Sequence, residues 1–282
     1  MRSKPDSIAS VTHAGGGMPP VARMQGTGGA KAYRIAVLRQ AVMRLERGLP
    51  DPAEERLSLG APSVDRHLSG AGLACGALHE VVAATHGDGP AAFGFLAALM
   101  VRALAVRRGS AMLVAAPRCF DLGRPYGQGL SQLGLDASRL VFVETRQHKD
   151  ALWAMGEALR SKAAAVVAGL LGRDLDLTMS RRLSLAAASS ATPLLLLRPS
   201  PAAGASAAVT RWRVAAASAA RDGHGAFAGC RWSVTLERCR NGRIGQWLFE
   251  WDHAAHRIRL AEVLADRTSV ESAGPRRRRL AG

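Results

Sequence analysis

ALHEVVAA at residues 77–84, THGDGP at 85–90 and the apolar run that follows to residue 107 decide the fold. A short, continuous apolar segment bounded by glycines reads as a buried strand. The glycine-rich turn and the long apolar stretch behind it complete a strand–turn–helix unit. Outward from this unit the alternation continues: strand 111–116, helix 125–133, strand 140–144, helix 149–160, strand 163–170, helix 177–190 and strand 193–197. Short apolar strands alternating with helices call for a parallel sheet covered on both faces. After a Pro/Ala/Ser/Gly loop at 199–208 the texture becomes antiparallel, with strands at 211–216, 231–237, 246–251 and 256–260. Asn241-Gly242 marks a hairpin, because this pair readily takes the positive φ angles of tight turns. Trp247, Phe249 and Trp251 alternate along one strand and are expected to share a core-facing side. The predicted class is α/β: a mostly parallel central sheet flanked by helices, with C-terminal antiparallel strands.

Both ends differ from this body. Residues 1–30 are rich in Gly, Ser, Pro and Met without periodicity and are predicted to be a disordered tail. Over 31–47, Ile35, Leu38, Val42 and Leu45 recur at helical spacing while Arg34, Arg39, Arg44 and Arg47 point elsewhere. An amphipathic helix and linker are therefore expected over 31–55, a core over 56–262, and a flexible basic tail over 263–282 carrying Arg276, Arg277, Arg278 and Arg279.

Hydrophobic residues make up 48% of the chain and aromatic residues only 5%, so Ala, Leu and Val must fill the core. The net charge of +16 favours polyanionic partners. Nearly all of it is arginine in an Ala/Gly-rich chain, which coding bias would also produce. Cys75, Cys119, Cys230 and Cys239 form no C-x-x-C pair, so neither zinc nor a disulfide framework is indicated. Free thiols in a reducing cytoplasm are expected. Arg2 and Lys4 have no apolar run behind them, unlike a signal peptide. The greasiest stretch, 91–106, is interrupted by Gly94 and Arg102 and falls short of a membrane span. The expected location is the cytoplasm.

The unit at 77–107 sits where a phosphate loop would. A working loop, G-x-x-x-x-G-K-[ST], needs a lysine for the β and γ phosphates and a hydroxyl for magnesium. None of Lys4, Lys31, Lys149 and Lys162 follows a glycine or precedes Ser or Thr. Asp88 in the turn would repel phosphate, and His79 and His86 are the only basic side chains between Leu78 and Leu96. The strand at 163–170 carries no Walker-B carboxylate; Asp174 and Asp176 come later, in a turn or helix cap. His79-Glu80 begins H-E-x-x-H, but Ala83 stands in the second histidine's place. Residues 204–208, GASAA, miss G-x-S-x-G by the last glycine. No catalytic residue, cofactor or metal site is expected.

Several segments together resemble the RecA core: LSLG at 57–60, VDRHL at 64–68, Gly70, Gly72-Leu73 and GALHEV at 76–81, then Phe120-Asp121, Tyr126 and LGLD at 133–136. Where that core leads from its second strand to a catalytic glutamate, this chain reads Ala115-Ala116-Pro117-Arg118. A RecA frame without three elements of ATP hydrolysis is similar to the ImuA family of RecA-like, SulA-like mutagenesis proteins. RWRV at 211–214, Arg231-Trp232, LERCRNGR at 236–243 and WLFEW at 247–251 support it, and the resemblance spans about 31–262. It implies a non-catalytic accessory factor of SOS-induced translesion synthesis. Such a factor acts with an ImuB-like inactive Y-family polymerase homologue, RecA and an error-prone DnaE-type polymerase. The competing reading is a SulA-like division inhibitor that binds FtsZ.

Three surfaces are candidates for such work. Ile35, Leu38, Val42 and Leu45 either dock in a partner's groove or pack on the chain's own core. Arg238 and Arg240, in a segment resembling a K-x-R-N-G hairpin that crosses subunit interfaces in some hexameric RecA-fold ATPases, either reach a neighbour or line a solvated edge. Arg276, Arg277, Arg278 and Arg279 either hold DNA phosphates or are simply solvated.

Overall fold

The computed structural model describes residues 55–262, apart from 118, 120–123, 199–203 and 222–226. The expected helix carrying Ile35, Leu38, Val42 and Leu45, the tail 1–30, Phe120-Asp121 and the four arginines 276–279 lie outside the described residues.

A short pair, β1 (Arg56–Leu57) and β2 (Leu73–Ala74), brackets a one-turn helix, α1 (Pro62–Asp65). The alternating unit then runs β3 (Leu78–Ala83), α2 (Gly89–Val106), β4 (Ser110–Ala115), α3 (Gly127–Gln132), β5 (Leu140–Glu144) and α4 (His148–Ser161). It ends with β6 (Ala164–Leu170), α5 (Leu177–Ser190) and β7 (Leu194–Arg198). β8 (Thr210–Arg221), β9 (Phe227–Cys239), β10 (Gly245–Asp252) and β11 (Arg257–Glu262) follow. Their order in one nine-stranded sheet is β11-β10-β9-β8-β3-β7-β6-β4-β5. Strands β8, β3, β7, β6, β4 and β5 are parallel, and β9, β10 and β11 extend the β8 edge antiparallel. The mostly parallel sheet with C-terminal antiparallel strands is the architecture expected.

Both faces are covered, and the strands alternate between them. Val81, Leu113, Val166 and Leu195 face α2, while their neighbours Leu78, Val114, Val167, Leu194 and Leu196 face α4 and α5. On the α2 side Phe95 lies 5.8 Å from Trp212, 6.2 Å from Trp232 and 5.9 Å from Phe249, on which it stacks. Trp247, Phe249 and Trp251 are buried on that side, as their alternation implied. A cap of Leu57, Leu59, Val64, Leu68, Leu73, Leu130 and Leu135 belongs to the same cluster, so α2 is apolar on every side over 95–101, where it is buried on every side. With the turn before it, it is the one described helix long and apolar enough to cross a membrane by length and composition. Gly94 and Arg102, which interrupt its pattern, both have packing roles. A Cβ at Gly94 would press on the Trp232 ring at 3.2 Å, and Arg102 donates to the Ser58 carbonyl at 2.7 Å.

Two local expectations are corrected. β8 and β9 run well past 216 and begin before 231, because the Ala-rich continuation has little strand propensity of its own and is held by pairing with its neighbour. At the β9–β10 hairpin only Asn241 takes a positive φ, 59°. Gly242 is required for a different reason: a Cβ there would overlap the His67 carbonyl oxygen and the Cys239 sulfur. Gly242→Ala is therefore expected to cost about 1–3 kcal/mol, whereas Asn241→Gly changes stability by less than about 1 kcal/mol. Chemical denaturation of the two variants checks the contrast.

Candidate functional site

The place to look for ligand chemistry in an open α/β sheet is the carboxyl end of its strands. Here β3 passes through Ala84 and Thr85 into a single 3₁₀ turn, His86–Asp88, and straight into α2. Asp88 closes that turn on itself. One of its carboxylate oxygens accepts from the Thr85 hydroxyl at 2.6 Å and the Thr85 amide at 3.0 Å. The other accepts from the Ala216 amide of β8 at 2.8 Å. The Thr85 hydroxyl above all, with the Ala216 amide, holds the Asp88 carboxyl below the usual carboxylate range. The donors lining this turn, the Thr85 hydroxyl and amide and the Ala216 amide, therefore already hold an internal anion just ahead of an 18-residue helix.

Neither histidine considered for this region behaves as a buried cation. His79 is fully buried in β3, with Nε2 at 2.9 Å from the Ala74 carbonyl and Nδ1 at 2.8 Å from the Thr210 hydroxyl. A carbonyl only accepts, so Nε2 carries the proton, and Nδ1 accepts from the threonine, whose oxygen accepts in turn from Trp212 Nε1 at 3.0 Å. Burial pulls the His79 pKa down to about 4, so the ring is neutral near pH 7. His86 lies on the exposed turn.

One position further along β3, Glu80 is fully buried. Its Oε1 is 2.8 Å from Arg198 Nη1 on β7, and its Oε2 is 2.9 Å from Arg211 on β8. Arg198, also fully buried, extends the chain of charges to Asp174 at 2.7 Å. Asp174, considered for a turn or cap, thus ends an ion chain, while Asp176 caps α5 by accepting from the Met179 amide at 2.7 Å. The sequence reading missed this cluster. Its only local signal was a carboxylate beside His79 in a strand whose other residues are apolar, a group that must be paired when buried. The partners lie 118 and 131 positions away.

Arg238 and Arg240 are treated differently by the fold. Arg238 is half-buried and donates to the Ser206 carbonyl at 3.0 Å, tethering the segment that leads into β8. Arg240 lies past the end of β9 with its side chain exposed. Cys75 is buried, the other three cysteines are half-buried, and no described group of His, Cys, Asp and Glu is arranged to hold a metal.

Two outcomes follow from the buried ionisable groups on β3. Between pH 6.5 and about 4 the unfolded chain binds a proton at His79 that the folded chain does not. Stability is therefore lost as pH falls through that window, by up to ~3 kcal/mol from this group. Urea unfolding of the wild type should show the slope and His79→Gln should flatten it; an equally steep variant would refute the assignment. Glu80→Gln strands two guanidiniums beside a neutral amide and is expected to cost about 3–5 kcal/mol. The pair Glu80→Leu with Arg198→Met should recover part of that loss.

No family model matches the chain. It is 35% identical over 239 residues to Protein ImuA of Caulobacter vibrioides strain NA1000 / CB15N, covering 78% of this chain and 95% of that protein. Protein ImuA of Caulobacter vibrioides strain ATCC 19089 / CIP 103742 / CB 15 matches with the same identity and coverage. At that identity over nearly the whole length of its relatives, the chain belongs to the ImuA family.

Proposed function

We propose that this chain is a non-catalytic accessory factor of the ImuA/ImuB mutagenesis system, working by protein contact in SOS-induced translesion DNA synthesis. The observation that carries the non-catalytic part is the closed turn after β3. Asp88 occupies the Thr85 and Ala216 donors of that turn, and its own negative charge ahead of the α2 N-terminus repels a phosphate. Two further features support it. β6 ends at Leu170 without a carboxylate, and the nearest one, Asp174, is committed to Arg198. β4 runs out through Ala115 and Ala116 without an acid. Similarity to the ImuA proteins supports the pathway.

The direct partner in this reading is an ImuB-like inactive Y-family polymerase homologue, with RecA and an error-prone DnaE-type polymerase in the same assembly. Ile35, Leu38, Val42 and Leu45 form the docking face, and Arg276, Arg277, Arg278 and Arg279 add a sequence-independent contact to DNA. The work is done in the cytoplasm.

Co-purification with the ImuB-like protein, RecA and FtsZ of the same organism tests the assignment. The ImuB-like protein should be retained by the wild type and lost with Leu38→Asp, while far-UV circular dichroism stays unchanged. Retention of FtsZ alone would replace the reading with division control. ATP turnover should be at background with and without single-stranded DNA, in the wild type and in Asp88→Ala alike. Measurable turnover would overturn the non-catalytic part.

A further inference from the structure

The fold neutralises its arginines along most of the β8–β11 half and leaves three of them bare at one end. Arg211 pairs with Glu80, Arg213 with Glu237, Arg231 with Glu250, and Arg257 and Arg259 with Asp252. By contrast Arg66, Arg240 and Arg243 are exposed, and among the described residues none of their guanidiniums makes an ion pair or hydrogen bond. Arg66 is far from the other two in sequence, and the hairpin brings them together. The Arg243 amide donates to the His67 carbonyl at 2.8 Å, the Cys239 sulfur faces the same oxygen at 3.7 Å, and Gly242 packs against it. The His67 ring meets Trp247 edge-on at 5.0 Å, and the Arg240 amide is held by the Val209 carbonyl at 2.8 Å. The backbone of the patch is thus fixed while its three charged heads are left to solvent. Asp65, the acid beside Arg66, is buried and accepts from Ser58 and Leu59. Between the arginines sit the exposed Asn241 and Ile244, the latter 69% exposed.

We infer that this patch, Arg66, Arg240 and Arg243 around Asn241 and Ile244, binds the phosphodiester backbone of a nucleic acid. Planar guanidinium forks suit phosphate oxygens, and several unpaired ones on a rigid base suit a polyanion better than a single carboxylate. One aliphatic side chain at the centre is enough to meet a sugar or a base edge. It is far short of the roughly 800 Å² per partner, with aromatic anchors, expected of a stable protein interface. The patch lies at the start of β8, whose Thr210 pairs with Cys239 of β9 and runs beside His79 near the start of β3. That is the end of the sheet opposite the closed Asp88 turn, so the contact is independent of any nucleotide chemistry. The inference goes beyond the accessory role, because it requires no protein partner.

The test is fluorescence anisotropy of the full chain with a labelled 20-nucleotide strand and with the same sequence as duplex, over a range of salt. Arg66→Ala with Arg240→Ala and Arg243→Ala should weaken binding roughly tenfold or more near 0.15 M salt, on one or both probes. The slope of log affinity against log salt should fall by about 2 for the single strand, from three lost phosphate contacts. Thermal unfolding should be nearly unchanged, since no described hydrogen bond or ion pair is removed; if the triple variant misfolds, Arg240→Glu alone carries the test. Replacing Arg276 to Arg279 by alanine should leave the loss caused by the patch variant in place. Unchanged affinity and slope on both probes would overturn the inference. So would unchanged DNA binding combined with lost binding to polyglutamate, which would make the patch a receptor for acidic protein. Failure of the ImuB-like protein to co-purify would leave this result standing.

Discussion

Glu80 sits fully buried on β3, the strand at which the parallel half of the sheet meets β8 and the antiparallel extension. A carboxylate in that position is costly unless both oxygens are matched, and each is matched by an arginine from a different side. Arg198 comes from β7, at the end of the alternating βα series, and Arg211 from β8, after the chain has crossed back to run parallel to β3 again. The same pairings set the neighbours. Asp174 is drawn onto Arg198 from the loop before α5, and Arg211 brings Trp212 to the opposite face beside Phe95. Polar contacts on one side of β3 and aromatic packing on the other thus fix a single register at the junction.

Around this junction the two ends of β3 and β8 are built differently. At the carboxyl end the turn after β3 is closed by Asp88, and Arg198, the nearest buried cation, is held between two carboxylates. The turn after β3, a place where sheets of this architecture often hold anions, is therefore already supplied with an anion of its own. At the other end the β9–β10 hairpin rests on His67 and leaves Arg66, Arg240 and Arg243 without acidic partners among the described residues. The distribution suits a protein that works by its surfaces, as proposed. Among the described residues the arginines within β8–β11 are mostly paired with acids, and those of the hairpin turn are not.

Arg238 and Gly242 show how a motif can be present for reasons other than those its resemblance implies. Arg238 stands in the position of a reaching side chain, yet its guanidinium holds the Ser206 carbonyl. Gly242 belongs to an Asn-Gly pair whose usual service is a positive φ, yet here only the asparagine adopts one. In both, the local pattern was legible and its use was set by a segment remote in sequence.

From the sequence alone came the order of the parallel strands and helices, the antiparallel C-terminal texture, the buried face of Trp247, Phe249 and Trp251, and the lack of a phosphate-loop lysine. All are local properties, carried by hydrophobic periodicity and by residue identity at fixed spacings. Even the ends of α5, Leu177 and Ser190, were legible, because Asp176 caps the helix and the apolar spacing stops at its last turn. What only the tertiary structure decided were the partners of Glu80 and His79, the closure of the turn by Ala216 of β8, the true lengths of β8 and β9, and the meeting of Arg66 with the hairpin. Each of these joins groups from separate strands and loops. Burial then makes the pairing obligatory, but the sequence carries no mark of which distant group will answer it.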